Sequence, residues 1–414
     1  MDAPASQSPT TKVPWTPWRT VVAFGIVSLA ADMVYEGMRS AAGPFLGSLG
    51  ASALTVGVVT GAGEAIALAL RLVTGPLADR SGRYWSLTFV GYALTALCVP
   101  LLAVAPFLGA AGLVTASTLI LLERTGKAIR SPSKSALLAE MARSVGRGRG
   151  FAVHKALDQV GAFAGPLVVA GVAILSGRLW LGFAVLAIPG ALSLLLLAQL
   201  RGRITSAAVP DAPGAPILPA AESKRLPRSF YAFAWSCAAG TAGLMTFGVI
   251  SFHLVDAGLL GAGVVPVVYA AAMAVEAVAA LTTGFAYDRW NARVLYCLPV
   301  MIAALPALTF SGDLGVVLVG IAIWGLATGI QDSTVKALVA DLVPQSRLAT
   351  AYGVFAAFQG VAALAGGSLA GALYTHHLAV LIGVVATVQA LSLVLLVTTL
   401  RLRSGHRPTA APRA

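Results

Sequence analysis

Apolar segments long enough to cross a bilayer follow one another along almost the whole of this chain. No fold in water can bury that much hydrocarbon. Of its 414 residues 58% are hydrophobic and only 11% charged, whereas a soluble domain carries about 25% charged residues. A span takes about 20 apolar residues. Twelve such segments can be read, near 20–46, 53–76, 85–105, 108–134, 148–175, 179–200, 229–256, 263–286, 292–310, 314–340, 348–374 and 378–400. The expected fold class is therefore an all-α membrane protein with twelve spans, because a helix satisfies its backbone polar groups within one segment.

The net charge of +12 reports topology rather than a nucleic-acid surface. Alternate connections hold Arg80, Arg83, Arg143, Arg149, Arg201, Arg228, Arg289, Arg293, Arg347 and Arg401, among others. The opposite connections hold Arg178 alone. By the positive-inside rule both termini and the middle connection face the cytoplasm. Residues 1–18 form a polar, Pro-rich N-terminus without a cleavable signal, so the first apolar segment is expected to be a retained helix. Residues 201–228 contain Pro210, Pro213, Pro216, Pro219 and Pro227 and read as a cytoplasmic linker. It divides a first bundle, 19–200, from a second, 229–402, with a tail at 403–414. Cys98, Cys237 and Cys297 lie in apolar segments with no metal-ligand spacing, so neither metal nor cofactor is expected.

The two halves echo each other. Ala136-Leu137-Leu138-Ala139-Glu140 matches Ala337-Leu338-Val339-Ala340-Asp341, and at the same offset Gly165 falls on Gly366. Gly75-Pro76-Leu77-Ala78-Asp79-Arg80-Ser81-Gly82-Arg83 sits between the second and third segments. A degenerate copy, Gly284-Phe285-Ala286-Tyr287-Asp288-Arg289, sits between the eighth and ninth. This run resembles the loop signature of the major facilitator superfamily at Gly75, Leu77, Ala78, Asp79, Arg80, Gly82 and Arg83. The resemblance covers the whole chain. It implies two pseudo-symmetric six-helix bundles, a cavity among helices 1, 4, 7 and 10, and a rocker-switch transporter of the bacterial inner membrane. In the fifth segment Gly161, Gly165 and Pro166 fit the core of the family's antiporter signature, but Val169 and Ala170 stand where its paired glycines would fall. Close helix packing through small residues with a Pro bend explains that stretch about as well.

Ionisable residues inside spans are costly and mark pathways. Asp32, Glu36 and Arg39 share a face of the first segment, and Glu64 lies deep in the second, seven residues before Arg71. The fourth segment is the most charged: Glu123, Lys127, Arg130 and Lys134 share a face, with Arg124 about a quarter turn away and Pro132 among them. Lys134 is expected to reach the cytoplasm. His154 and Asp158 lie one turn apart in the fifth segment. The second half is poorer, with Glu276, Gln331, Asp332 and Lys336, the last two spaced for an i,i+4 pair. Asp32, Glu36, Glu64 and Asp158 are proton-coupling candidates. Tyr35, Arg39, Arg124, Lys127, Arg130, Gln331, Asp332 and Lys336 are substrate-cavity candidates.

The expected function is secondary active transport of a small organic molecule, as proton-coupled export by a monomer. One alternative is an importer or uniporter of an anionic metabolite, given Lys127 and Arg130. Another, of a different class, is a polytopic membrane enzyme or lipid scramblase, although no nucleophile or metal constellation supports an enzyme. Asp79→Asn should leave membrane insertion intact and slow transport cycling, because it removes charge from a contact that must form and break. Normal transport rates at normal expression would count against that gate.

Overall fold

The computed structural model describes residues 15–204, 226–335, 338–339, 342–343 and 347–404. For Arg147, Asp288, Thr334, Leu348, Ala349, Leu402, Arg403 and Ser404 it describes the backbone alone. Most of the predicted linker and Lys336 lie outside these residues. Among the described residues there is no strand. Among these residues eleven helices are long and apolar enough to cross a membrane: α1 (Pro17–Ser48), α2 (Ala53–Ser81), α3 (Tyr84–Phe107), α5 (Gly148–Ser176), α6 (Leu179–Arg203), α7 (Arg228–Asp256), α8 (Val265–Tyr287), α9 (Asn291–Thr309), α10 (Leu314–Ser333), α11 (Thr350–Leu373) and α12 (Leu378–Arg401). The twelfth expected span is α4, Gly112–Met141. Its 30 residues suffice in length, but its charges disqualify it on apolarity. Those charges are covered by its neighbours, whereas Leu175, Leu281 and Phe285 on other helices are highly exposed, as a lipid-facing surface requires.

The packing is duplicated. In the first half α1 packs on α5 and α6, α3 on α4 and α6, and α2 on α4. In the second half α7 packs on α11 and α12, α9 on α10 and α12, and α8 on α10. The halves meet through α1 with α7, α2 with α11, and α5 with α8. Exchanging each helix for the one six positions on returns the same set, so the bundles are related by a pseudo-two-fold axis.

Small residues make the closest of these contacts. A Cβ on Gly165 would lie 2.1 Å from the Met33 carbonyl oxygen in α1. A Cβ on Gly366 would lie 2.1 Å from the Ala242 carbonyl oxygen in α7. The sequence repeat thus becomes the same backbone-to-backbone crossing in each half. Without a hydrophobic drive in lipid, such close approach is what holds helices together.

Some local features of the helices near the cavity were not visible in the hydropathy. Helix α7 is interrupted between Leu244 and Phe247, where Met245 adopts φ 59°. That conformation is uncommon for a residue with a side chain. Residues Gln331–Val335 form a π-helical turn at the end of α10. Helix α4 runs through Pro132 without ending. Proline removes the donor to the carbonyl four residues back. The Thr74 hydroxyl of α2 replaces it, donating to the Ala128 carbonyl at 2.9 Å.

Gly165→Ala should therefore force α1 and α5 apart and lower the unfolding midpoint in detergent, an overpacking cost of about 1–3 kcal/mol. Gly171→Ala is the control on the same helix, because nothing lies within 4 Å of its Cβ position. It should leave the midpoint unchanged or slightly raised. Equal losses from the two substitutions would refute the close-crossing argument.

Candidate functional site

A cavity of about 350 Å³ lies between the halves, within the range of small-molecule pockets. In the first half α1, α2, α4 and α5 line it, and in the second half α7, α8, α10 and α11 do so. Toward the end that carries the 48–53 and 256–265 connections, the halves touch. There a Cβ on Gly43 would lie 2.0 Å from the Gly248 carbonyl oxygen. Thr60 and Thr246 share a hydrogen bond at 2.7 Å. The Tyr269 hydroxyl of α8 donates to Glu36 Oε2 of α1 at 2.5 Å. At the end that carries the chain termini, the lining residues Lys155 and Asp332 are exposed, so the mouth lies there.

The charged side chains form two connected groups. In one, Arg39 reaches Glu36 at 3.7 Å and Glu64 at 3.2 Å. Arg124 reaches the same Glu64 oxygen at 3.8 Å and Glu123 at 3.5 Å. Arg130 links Glu123, at 3.9 Å, to Asp32, at 3.8 Å. Glu123 is fully buried. Thr95 bridges it to Arg130, accepting from Nη1 at 2.5 Å and donating to Oε1 at 3.1 Å. Buried charges survive only when paired and hydrogen-bonded in this way.

In the second group Lys134 Nζ lies 3.5 Å from Asp158 and donates to Ser28 Oγ at 2.9 Å. Ser28 also hydrogen-bonds Tyr92 at 2.8 Å and His154 at 3.2 Å. His154 Nε2 stands 3.6 Å from Asp158. Lys134 does not reach the surface as expected: it is mostly covered and turned inward, because Asp158 and Ser28 solvate its ammonium where lipid cannot.

Tyr35 stands between the groups. Its ring carries Arg124 at 4.7 Å and Lys127 at 3.8 Å, and its hydroxyl accepts from Lys127 Nζ. A tyrosine face can hold cations where carboxylates are spent elsewhere.

Of the residues singled out in the sequence, Asp32, Tyr35, Glu36, Arg39, Glu64, Lys127, Arg130, Asp158, Gln331 and Asp332 line the cavity together. Arg124 lies behind Tyr35, outside that lining. A π turn carries Asp332, and the pairing expected for it with Lys336 lies outside the described residues. Asp79, Arg80 and Arg83 are exposed at the terminal end, where Tyr84 donates to Asp79 at 3.1 Å. Gly82 adopts φ 66° and ends its helix, while Gly75 has open space beside it. Arg289 is exposed, and the side chain of Asp288 is outside the description. Gly161 packs on Leu29 as Gly165 does on Met33, with Pro166 following inside the helix. Arg71, Glu276, Tyr269 and Trp324 were not singled out as site residues. Arg71 could have been found from its place on the Glu64 face. Glu276 was visible as a lone acid in an apolar segment. Tyr269 and Trp324 carry no such signal.

A duplicated helical bundle with a charged cavity between its halves defines a membrane transporter architecture. The chain belongs to the Major Facilitator Superfamily, which matches residues 24–304 and 258–414. It is 46% identical over 400 residues to the uncharacterized proteins Mb2288 of Mycobacterium bovis and Rv2265 of Mycobacterium tuberculosis, covering 95% of this chain and 96% of theirs. Among solved structures it is similar to a bacterial homolog of the human lysosomal transporter Spinster in an inward-facing, occupied conformation, with TM-score 0.67, 15% identity and coverage of 96% and 100%. It is also similar to the nucleoside transporter NupG, with TM-score 0.64, 14% identity and coverage of 93% and 99%. A third such structure is a POT family transporter in complex with a thioalcohol-conjugated peptide, with TM-score 0.73, 13% identity and coverage of 94% and 96%.

Removing one partner of a buried ion network costs about 3–5 kcal/mol. Arg130→Gln, which leaves Asp32 without its cation and Glu123 with Arg124 alone, should lower the unfolding midpoint by a corresponding amount. Adding Glu123→Gln should recover part of the loss, a coupling that a double-mutant cycle measures. A fully additive cycle would rule out a shared network.

Proposed function

We propose that this protein is a secondary active transporter that exports a small organic molecule by alternating access in exchange for protons. The observation that carries this reading is a cavity lined by helices of both halves, closed at one end by contacts between the halves and open at the other. A small rotation of one bundle on the other would break the Gly43–Gly248, Thr60–Thr246 and Glu36–Tyr269 contacts and open that end. The basic connections support a cytoplasmic position for the open end, and on that reading the conformation is inward-facing. The mycobacterial relatives fit a bacterial plasma membrane. A site complete within one chain fits a monomer.

Proton coupling rests on carboxylates that line a solvent-accessible cavity within the membrane. Asp32 and Glu36 are one turn apart but are held differently. Glu36 has Arg39 and the Tyr269 hydroxyl, whereas Asp32 has one cation, Arg130, shared with Glu123. Asp32 is the better proton carrier, because less opposes its neutralisation. Export is favoured by the partial helix-5 signature at Gly161, Gly165 and Pro166. The second reading, import or facilitated diffusion of an anionic metabolite, is kept by Lys127, which the described carboxylates leave unpaired.

The test is flux into proteoliposomes under an imposed proton gradient, with a substrate found by ligand stabilisation of the purified protein. Wild type should concentrate substrate against its gradient. Asp32→Asn should abolish that accumulation and spare one-for-one substrate exchange, since exchange need not cycle the proton. Glu36→Gln should slow both. If Asp32→Asn, Glu36→Gln and the double variant all still concentrate substrate with an unchanged pH profile, the proton site is not on α1.

A further inference from the structure

We infer that the cavity accepts an amphoteric solute, with an anionic group held by the first half at Lys127 and a cationic group held by the second half at Glu276. This rests on the transport reading of the same cavity.

Among the described lining residues the two walls carry opposite charge. The first half lines the cavity with six cations against four carboxylates. Those carboxylates are already committed: Asp32 to Arg130, Glu36 and Glu64 to Arg39, and Asp158 to Lys134. Arg71, Lys127 and Lys155 are left over. The second half contributes Glu276 and Asp332 and, among the described lining residues, no lysine or arginine. Lys127 makes contact with the Tyr35 ring and hydroxyl, and no ion pair holds it or Glu276 among the described residues. Lys127 and Glu276 therefore line opposite walls of the same space without meeting.

Each simpler kind of solute leaves a buried charge uncompensated. An anion satisfies Lys127 but faces Glu276 and Asp332, which repel it. A cation satisfies Glu276 but faces the excess of the basic wall. A neutral solute displaces water from both walls and compensates neither. A solute with both charges compensates the two walls at once and also draws them together, which is the direction of closure around a cargo. Selectivity then comes from rejection as much as attraction.

The experiment uses the full-length purified protein and a metabolite library sorted into anionic, cationic, neutral and amphoteric members, scored by thermal stabilisation. Hits are then offered free, N-acylated, as carboxamides and blocked at both ends. The inference expects amphoteric hits whose affinity falls about tenfold or more when either end is blocked. Lys127→Gln should weaken the free compound to the level of its carboxyl-blocked derivative, and Lys127→Arg should restore the difference. Glu276→Gln should do the same for the amine end. A screen without amphoteric hits, or variants that weaken free and blocked compounds equally, overturns the inference. Counterflow of a hit in proteoliposomes tests the transport reading separately. Binding of an amphoteric compound without flux would sink transport and leave the charge assignment standing. Flux of a singly charged hit alone would do the reverse.

Discussion

The arrangement depends on keeping ionic groups inside a lipid-embedded bundle. A lone charge there is expensive, so each side chain that enters must bring its compensation with it. The sequence α4 contributes, Glu123 through Lys134, is a ladder of such groups. It is viable because α1 and α2 present Asp32 and Glu64 at matching heights, and α3 adds Thr95 between Glu123 and Arg130. The fully buried Glu123, gripped by two guanidinium groups, sits behind the cavity wall. It fixes Arg124 and Arg130 so that Tyr35 and Asp32 meet ordered cations rather than flexible ones. Arginine suits this role because its planar fork serves two carboxylates at once.

Helix packing supplies what the proposed cycle also requires, a boundary between the halves that can open. Some of its closest contacts are made by glycine and threonine: Gly57 against Gly367, Gly43 against Gly248, Thr60 against Thr246. Such surfaces slide or part without dragging large side chains through a core. Within each half, by contrast, aromatic groups interlock, as Phe247 does with Tyr269 and Trp324. The interrupted α7 lies where these two kinds of packing meet. Its Leu244, Met245 and Thr246 line the cavity, where irregular backbone is tolerated inside a membrane.

Much of the fold was legible because hydropathy and charge asymmetry act over whole segments. The pseudo-repeat of Gly165 and Gly366 was legible because close helix crossings demand a missing side chain. The charged faces of α1 and α4 followed from helical spacing alone. What spacing could not supply was the partner across a helix boundary. Lys134 looked like a helix-end cation until Ser28 and Asp158 were brought to it by α1 and α5. Tyr269 is one tyrosine among several, and nothing local marks it as the donor to Glu36. The break at Met245 and the π turn at Gln331–Val335 leave the hydropathy of their segments untouched, so they were invisible to it. Thr74, which caps the carbonyl that Pro132 orphans, lies more than fifty residues away in α2.

The two halves share a fold yet divide the chemistry unequally, and that inequality has a mechanical consequence. The ion pairs described above join residues of the first half to each other, so on the proposed reading rotation of the second half leaves them intact. Glu36 differs, because its hydrogen bond from Tyr269 crosses between the halves. On the proposed reading, opening the closed end removes that donor while Arg39 stays, so Glu36 exchanges one of its two partners as the halves part. Asp32, on the same face and one turn nearer the mouth, has no such contact to lose. On the proposed reading, then, Asp32 is where a proton is carried and Glu36 is where the conformation is sensed. One helix face thereby links the ionic state of the first half to the position of the second, without a rearrangement of the buried Glu123 pairs that hold the first half together.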